Sequence, residues 1–289
     1  MAQFTNQAQL SYNDSVTNSN VAVGELLEVL SATKTAVISE YGRNDDITYI
    51  ISILNSGTTA FTGLTITDDL GSYAFGQTNL VPLTYIDGSV RYYVNGVLQT
   101  APTVTSGPPL EITGINVPAG GNAIIVYEVQ ANQYAPLGID DSITNTAVIN
   151  GNLSAPITAQ ETITTENAPE LTITKSVSPV PVTENGTLTY TFIIQNSGNT
   201  AADATSNVVI TDIFNPILSN LTVTLDGAPF PTTSYSYDET TGVFTTNPGT
   251  ITVPAATYTQ DTTTGSIITT PGVTTLVISG IVWYNIIAY

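Results

Sequence analysis

Residues 31–57 read SATKTAVISEYGRNDDITYIISILNSG, and residues 171–198 read LTITKSVSPVPVTENGTLTYTFIIQNSG. The two stretches match at Lys34 with Lys175, at Tyr49 with Tyr190, and at Asn55-Ser56-Gly57 with Asn196-Ser197-Gly198. The match runs on into LTITD at 64–68 and VVITD at 208–212. The lysine-to-aspartate spacing is 68 − 34 = 34 in the first copy and 212 − 175 = 37 in the second. Repeats of this length without helical periodicity predict two β-sandwich domains in tandem, not a solenoid of short units.

Working outward, the composition agrees. Of the 289 residues 42% are hydrophobic, enough for two buried cores. Runs rich in Thr, Val, Ile and Tyr alternate with Gly, Pro, Asn and Asp, the pattern of an all-β chain. Residues 23–31 fit a short helix, and they fit a strand at least as well. Strands are expected at 89–94, 110–117, 122–131, 142–150 and 157–163 in the first copy, and at 221–225, 243–253 and 274–283 in the second. A Thr/Glu/Asn/Pro stretch at 164–170 reads as a linker. The domain expectation is a hairpin and linker at 1–30, a sandwich at 31–168 and a second sandwich at 169–289.

Charge and missing residue types exclude whole classes of function. The net charge is −19, from 23 acids against 4 bases, which excludes nucleic acid and anionic membrane as partners and reads as solubility. With no Cys and no His there are no disulfides, no Ser-His-Asp or Cys-His catalytic sites and no Cys/His zinc site. The Asp-Asp pairs at 45–46, 68–69 and 140–141 lack the alternating oxygen ligands of a calcium loop. Neither a metal nor a cofactor is expected. Arg91-Tyr92-Tyr93 reads as cross-strand packing before it reads as a sugar contact. Met1 is followed by polar residues, so no signal peptide is visible, and IVWYNIIAY at 281–289 is far too short to span a bilayer of about 30 Å. The expectation is secretion with a removed signal, or release by another route.

The ends of the two copies differ. AIIVYEVQA at 123–131 corresponds to TLVISGIVW at 275–283, after which the first copy continues into SITNTAVIN at 142–150 and a return strand, while the second has six residues left. The opening stretch AQFTNQAQLSYN at 2–13 resembles the missing strand. Phe4, Asn6, Ala8 and Leu10 share one parity, as Ile143, Asn145, Ala147 and Ile149 do, so each segment points one Asn into an apolar face. Asn6 precedes Lys34 by 34 − 6 = 28 residues, and Asn145 precedes Lys175 by 175 − 145 = 30. Residues 1–30 thus have the length and order of a closing hairpin with its linker, and domain two is expected to be completed by this hairpin from the next subunit; the alternatives are packing on domain one, and fold-back onto domain two of the same chain, which the short linker disfavours.

Parity also turns Lys34, Lys175, Asp68 and Asp212 inward. These are the only lysines in the chain. A buried Lys, Asp and Asn are costly unless they meet. A desolvated lysine loses its proton readily and a desolvated aspartic acid keeps its own. The neutral amine then attacks the Asn carbonyl, the Asp assists as acid, ammonia leaves and an isopeptide bond remains. The pairing is Lys34 with Asn145 assisted by Asp68 within the chain, and Lys175 with Asn6 of the next subunit assisted by Asp212. A plain Lys-Asp salt bridge is the alternative.

TITKS, TYTFIIQNSG, ITD and ITNTA give the chain a resemblance, over nearly its whole length, to the conserved-repeat, isopeptide-forming, Ig-like domains of Gram-positive bacterial surface, pilus and spore-appendage proteins. That resemblance implies a structural protein, not an enzyme beyond its own single-turnover cross-linking, at the extracellular cell or spore surface. The leading reading is a filament subunit that polymerises with itself head-to-tail by donor-strand complementation, without nucleic acid and without membrane insertion. A non-polymeric surface repeat protein, serving as stalk or adhesin, remains the alternative; a carbohydrate-binding module or enzyme lacks a constellation of side chains.

Overall fold

The structure, a computed structural model, describes residues 2–282; the last residue of the strand expected at 274–283 and most of the 281–289 run lie outside the described residues. The fold is all-β, and no α-helix occurs among the described residues. The chain forms two compact units, one of Met1–Ala135 with Ile143–Ile163 and one of Pro136–Ser142 with Thr164–Tyr289.

The opening stretch is a hairpin of four short strands, β1 (Ala2–Asn6), β2 (Gln9–Tyr12), β3 (Ser15–Asn18) and β4 (Ala22–Leu26). β1 pairs with β4 and β2 with β3. Its turn falls at Asn13 and Asp14, with φ of 42° and 64°, the left-handed pair that Asn and Asp tolerate and that matches strand twist. The pairs Asn6↔Ala22 and Gln9↔Asn18 enclose two residues on the outgoing side and three on the return, so the hairpin carries a bulge. The ambiguous residues 23–31 are strand, ending β4 and opening β5. From Gln3 to Glu25 every residue is exposed except Gly24, which is half-buried where the Phe4 ring lies across it.

The first sandwich is built from β5 (Leu30–Ala36), β6 (Glu40–Tyr41), β7 (Asp46–Asn55), β8 (Phe61–Asp68), β9 (Tyr73–Phe75), β10 (Thr78–Leu80), β11 (Leu83–Tyr85), β12 (Arg91–Val94), β13 (Val97–Leu98), β14 (Thr103–Thr105), β15 (Leu110–Val117), β16 (Asn122–Ala131), β17 (Ser142–Asn150) and β18 (Ile157–Thr165). One sheet runs β13-β12-β16-β7-β5, with β11 also on β16, and the other β14-β15-β8-β17-β18-β6. Strand β7 shows why: DITYIISILN buries Ile47, Tyr49, Ile51 and Ile53 fully and turns the residues between them outward. Tyr92 is buried and its hydroxyl donates to Asn116 O at 2.7 Å, the packing role expected of that strand.

The second sandwich comprises β19 (Leu171–Ser178), β20 (Thr187–Asn196), β21 (Thr211–Ile213), β22 (Leu218–Leu225), β23 (Ala228–Pro229), β24 (Tyr235–Tyr237), β25 (Val243–Thr246), β26 (Thr257–Gln260), β27 (Ile267–Thr270) and β28 (Gly272–Val282). Its larger sheet runs β19-β20-β28-β22-β23 and its smaller one β21-β25-β24, with β26-β27 as a separate hairpin. Two expected strands are shorter than their counterparts. The VVITD stretch keeps only β21, with Val208 in an isolated bridge to Ile251, and the 243–253 run breaks after Thr246. The physical reason lies in the sheet order. β8 is held between β15 and β17, whereas β21 has β25 on one side and, among the described residues, no strand on the other.

The pairing also corrects the repeat alignment by one residue. Tyr49 sits opposite Tyr127 and Tyr190 opposite Ile278, so Tyr127 corresponds to Ile278 and not to Ser279. In a strand that single step changes the face.

Candidate functional site: two lysine-aspartate centres

In the first sandwich β5 carries Lys34 and β8 carries Asp68 on facing sheets, and their side chains meet in the core. Lys34 Nζ donates to Asp68 Oδ2 at 2.6 Å, with both side chains almost fully buried. Tyr127 Oη from β16 donates to the same oxygen at 2.5 Å. The other oxygen, Oδ1, accepts the Leu70 amide at 3.0 Å, which fixes the carboxylate plane. The amine lies over the rings of Tyr49 and Tyr127, 4.8 and 5.9 Å from their centroids.

Asn145, on β17 beside β8, is fully buried in this cluster, and neither its Oδ1 nor its Nδ2 makes a hydrogen bond. An unsatisfied buried amide costs about 1–3 kcal/mol. The site therefore holds a buried amine, a buried carboxylate and an uncommitted carboxamide. Burial pulls the Lys34 amine below its ordinary value, and the charges of Asp68, Asp69 and Glu161 only partly restore it. Burial first, then the charge of Asp68, pushes the Tyr49 and Tyr127 hydroxyls up; the nearby Asn145 amide opposes both shifts without reaching hydrogen-bond geometry.

In the second sandwich Lys175 on β19 and Asp212 on β21 also form an ion pair. Lys175 Nζ lies over Tyr190 at 4.5 Å and over Phe192 and Phe214 at 5.6 and 5.9 Å. The surroundings differ. The Lys175 side chain is 40% exposed and that of Asp212 18%, against 0% and 1% in the first centre. The sequence reading placed Lys175 in a core; its face is correct, but that face is uncovered. Leu171, Ile173 and Val177, which share its parity, are exposed as well. Among the described residues no strand lies beside β21 in the place that β17, with Asn145, takes beside β8.

Asn6, the expected partner of Lys175, lies on β1 of the exposed hairpin, where Phe4, Leu10, Tyr12, Val16 and Val23 are all more than half exposed. Sequence reasoning missed Tyr127, whose only signal was one Tyr within an apolar run. It also left the Asn-Ser-Gly repeats without a role. Asn55 and Asn196 are fully buried loop clamps: Asn55 Nδ2 donates to Thr59 O and Pro118 O, and Asn196 Nδ2 to Thr200 O and Pro254 O. Asp45 and Asp141 fasten turns by accepting the Gly42 and Gly138 amides.

No family model and no curated protein matches the chain. Solved structures do. The pilus backbone of Streptococcus pneumoniae is 13% identical over 84% of this chain and 55% of its own, with a TM-score of 0.35. A 35 kDa C-terminal fragment of the major pilin of Streptococcus agalactiae is 12% identical over 50% of this chain and 58% of its own, with a TM-score of 0.32. The collagen-binding domain of a Staphylococcus aureus adhesin is 11% identical over 48% of this chain and 99% of its own, with a TM-score of 0.31. The chain thus spans between half and three fifths of the two pilins it matches. These Gram-positive surface proteins share its all-β character; likeness this remote carries no weight in the functional reading.

Proposed function

We propose that the protein is a structural subunit of an extracellular bacterial filament, assembled head-to-tail by donating its hairpin to the second sandwich of a neighbouring copy and sealed by Lys-Asn isopeptide bonds. One observation carries this reading. The second centre repeats the first in its lysine, its aspartate and its aromatic floor but, among the described residues, has no strand on the outer side of β21, and the same chain holds out an exposed hairpin with an Asn in a matching place. Donor and acceptor are different surfaces, so the contact does not close on itself and an open fibre results. The added strand supplies main-chain hydrogen bonds to β21 and covers β19. Covering one half-exposed Leu, Ile or Val contributes about 1 kcal/mol.

The chemistry derives from the first centre. Asp68 Oδ2, in contact with Nζ, takes a proton from the Lys34 ammonium. The freed Nζ lone pair adds to Cγ of Asn145, and the Cγ–Nδ2 bond breaks. Two of the three ammonium protons pass by way of Asp68 to the departing nitrogen, which leaves as ammonium. Asp68 ends as it began, and the chain is lighter by the elements of ammonia. In the polymer Lys175, Asp212 and Asn6 of the neighbouring copy repeat the reaction.

The test is an electrophoretic ladder that survives boiling in detergent. It should form with the full chain, vanish when residues 2–24 are deleted, and vanish with Lys175→Ala. A monodisperse monomer at high concentration would favour the stalk or adhesin reading instead.

A further inference from the structure

At the base of the hairpin lies a groove of about 260 Å³. Leu27 and Leu30 form one wall, Phe61 at the start of β8 another, and Leu153, Pro156 and Ile157 of the β17–β18 turn the third. Its one charged lining residue is Glu28. We infer that this groove receives residues 283–289 of the preceding copy in the fibre, a step that rests on the head-to-tail reading above.

Three observations converge on this occupant. First, the groove opens where the hairpin leaves the first sandwich. Leu30 pairs with Asn55 at the start of β5, and β8 begins there at Phe61. A hairpin inserted into a neighbouring second sandwich brings this end of the donor to the acceptor.

Second, the chain already uses the equivalent arrangement internally. β16 is the counterpart of β28, since Tyr127 and Ile278 face Tyr49 and Tyr190. The segment soon after β16, Pro136–Ser142, belongs to the second compact unit, where Asn199 Nδ2 donates to Leu137 O at 3.4 Å. The segment leaving a sandwich's last common strand thus joins the next sandwich along the chain. By that register 283–286 stand where Asn132–Ala135 stay with their own sandwich and 287–289 stand where Pro136–Gly138 join the next one, and in the fibre the next sandwich is the first one of the neighbour.

Third, the chemistry suits the groove. Residues 283–289 read WYNIIAY, uncharged, with six of seven residues apolar or aromatic. An apolar groove with one charge on its rim favours such a segment over the acidic surface of this chain.

Trp283 is the only tryptophan in the protein, so its fluorescence reports on the surroundings of this segment, and the groove variants separate the groove contact from hairpin insertion. The experiment monitors tryptophan emission of the full chain while the detergent-resistant ladder grows. The expected result is a blue shift that tracks ladder formation and is lost in Leu153→Asp, whose side chain is half-buried in the groove wall, while the ladder persists. Leu27→Asp, at an exposed position, gives the same result should Leu153→Asp fail to fold. A ladder with unshifted emission, or an equal shift in the groove variants, overturns the inference and leaves the polymer intact. Absence of any ladder from the unaltered chain, read on the gel rather than in the emission, overturns the polymer reading and this inference with it.

Discussion

Lys34, Asp68 and Asn145 make one centre whose consequences can be weighed side chain by side chain. If the bond forms, the intact chain is lighter than its sequence by one ammonia, and Lys34→Ala restores the full mass. Closing a loop of about 100 residues is worth about 4–5 kcal/mol in the chain-entropy account, so Lys34→Ala lowers unfolding stability by roughly that much, measurable by urea titration. Tyr127 donates to the oxygen that takes the lysine proton. Tyr127→Phe is therefore expected to slow cross-linking about tenfold or more while keeping the core filled, and the fraction of light chains against time checks this. Asn145→Ala isolates the titration. Because the native Lys34 amine sits below its ordinary 10.5, the unfolded chain binds more protons wherever pH lies between the two values, and stability rises with pH in that window. Tyr49 and Tyr127, both held above their ordinary 10.0, reverse the slope above that pH. The chain has no histidine to blur the result. Urea melts of Asn145→Ala from pH 7 to pH 11 should trace a maximum near pH 10; a slope that falls throughout would refute the assignment. Lys34 and Asp68 were legible in advance because each sits in a strand with clean alternation. Tyr127 was not, because only the pairing of β16 with β7 reveals which face it shares with Asp68, and the sequence alignment alone is off by one there.

At the scale of elements, the proposal joins strand β21 to the hairpin. The repeat led to the expectation of a missing partner for the second sandwich, but it did not mark that β21 is only three residues long. Strand length here is set by neighbours: β8, flanked on both sides, runs for eight residues. Supplying the neighbour should therefore lengthen the strand. Amide hydrogen exchange around residues 208–213 is expected to slow by at least tenfold on polymerisation, as those amides gain or firm up partners, whereas residues 61–68 show no change. Unchanged exchange at 208–213 in the ladder would place the donor elsewhere. The hairpin was expected as a unit, without its register. The turn at Asn13 and Asp14 was not assigned in advance, and the bulge between Asn6 and Gln9 depends on a one-residue mismatch that no local pattern marks. The Asn55 and Asn196 clamps were visible only as repeated letters, because one of the two acceptors of each lies some sixty residues away.

The whole molecule carries 23 acids against 4 bases, so two copies approach one another against a like charge of −19 each. Screening over about 10 Å at 0.1 M salt reduces that barrier. Assembly is expected to quicken several-fold between about 10 mM and 150 mM salt, read as the rate of ladder growth; retardation by salt would argue that ion pairing, and not strand addition, drives the contact. Two sandwiches and an exposed hairpin were legible as architecture from composition and repeat alone. The openness of the second centre was not, for it depends on which strands, among the described residues, flank β21.

The brevity of β21 has one more effect. A long bare sheet margin recruits any passing strand and invites clumping, whereas three residues give a stray chain little to grip. At β21, therefore, a solitary copy offers stray strands little purchase, whereas the eight-residue β19, exposed along its length at the edge of the larger sheet, is the margin where unwanted pairing would begin.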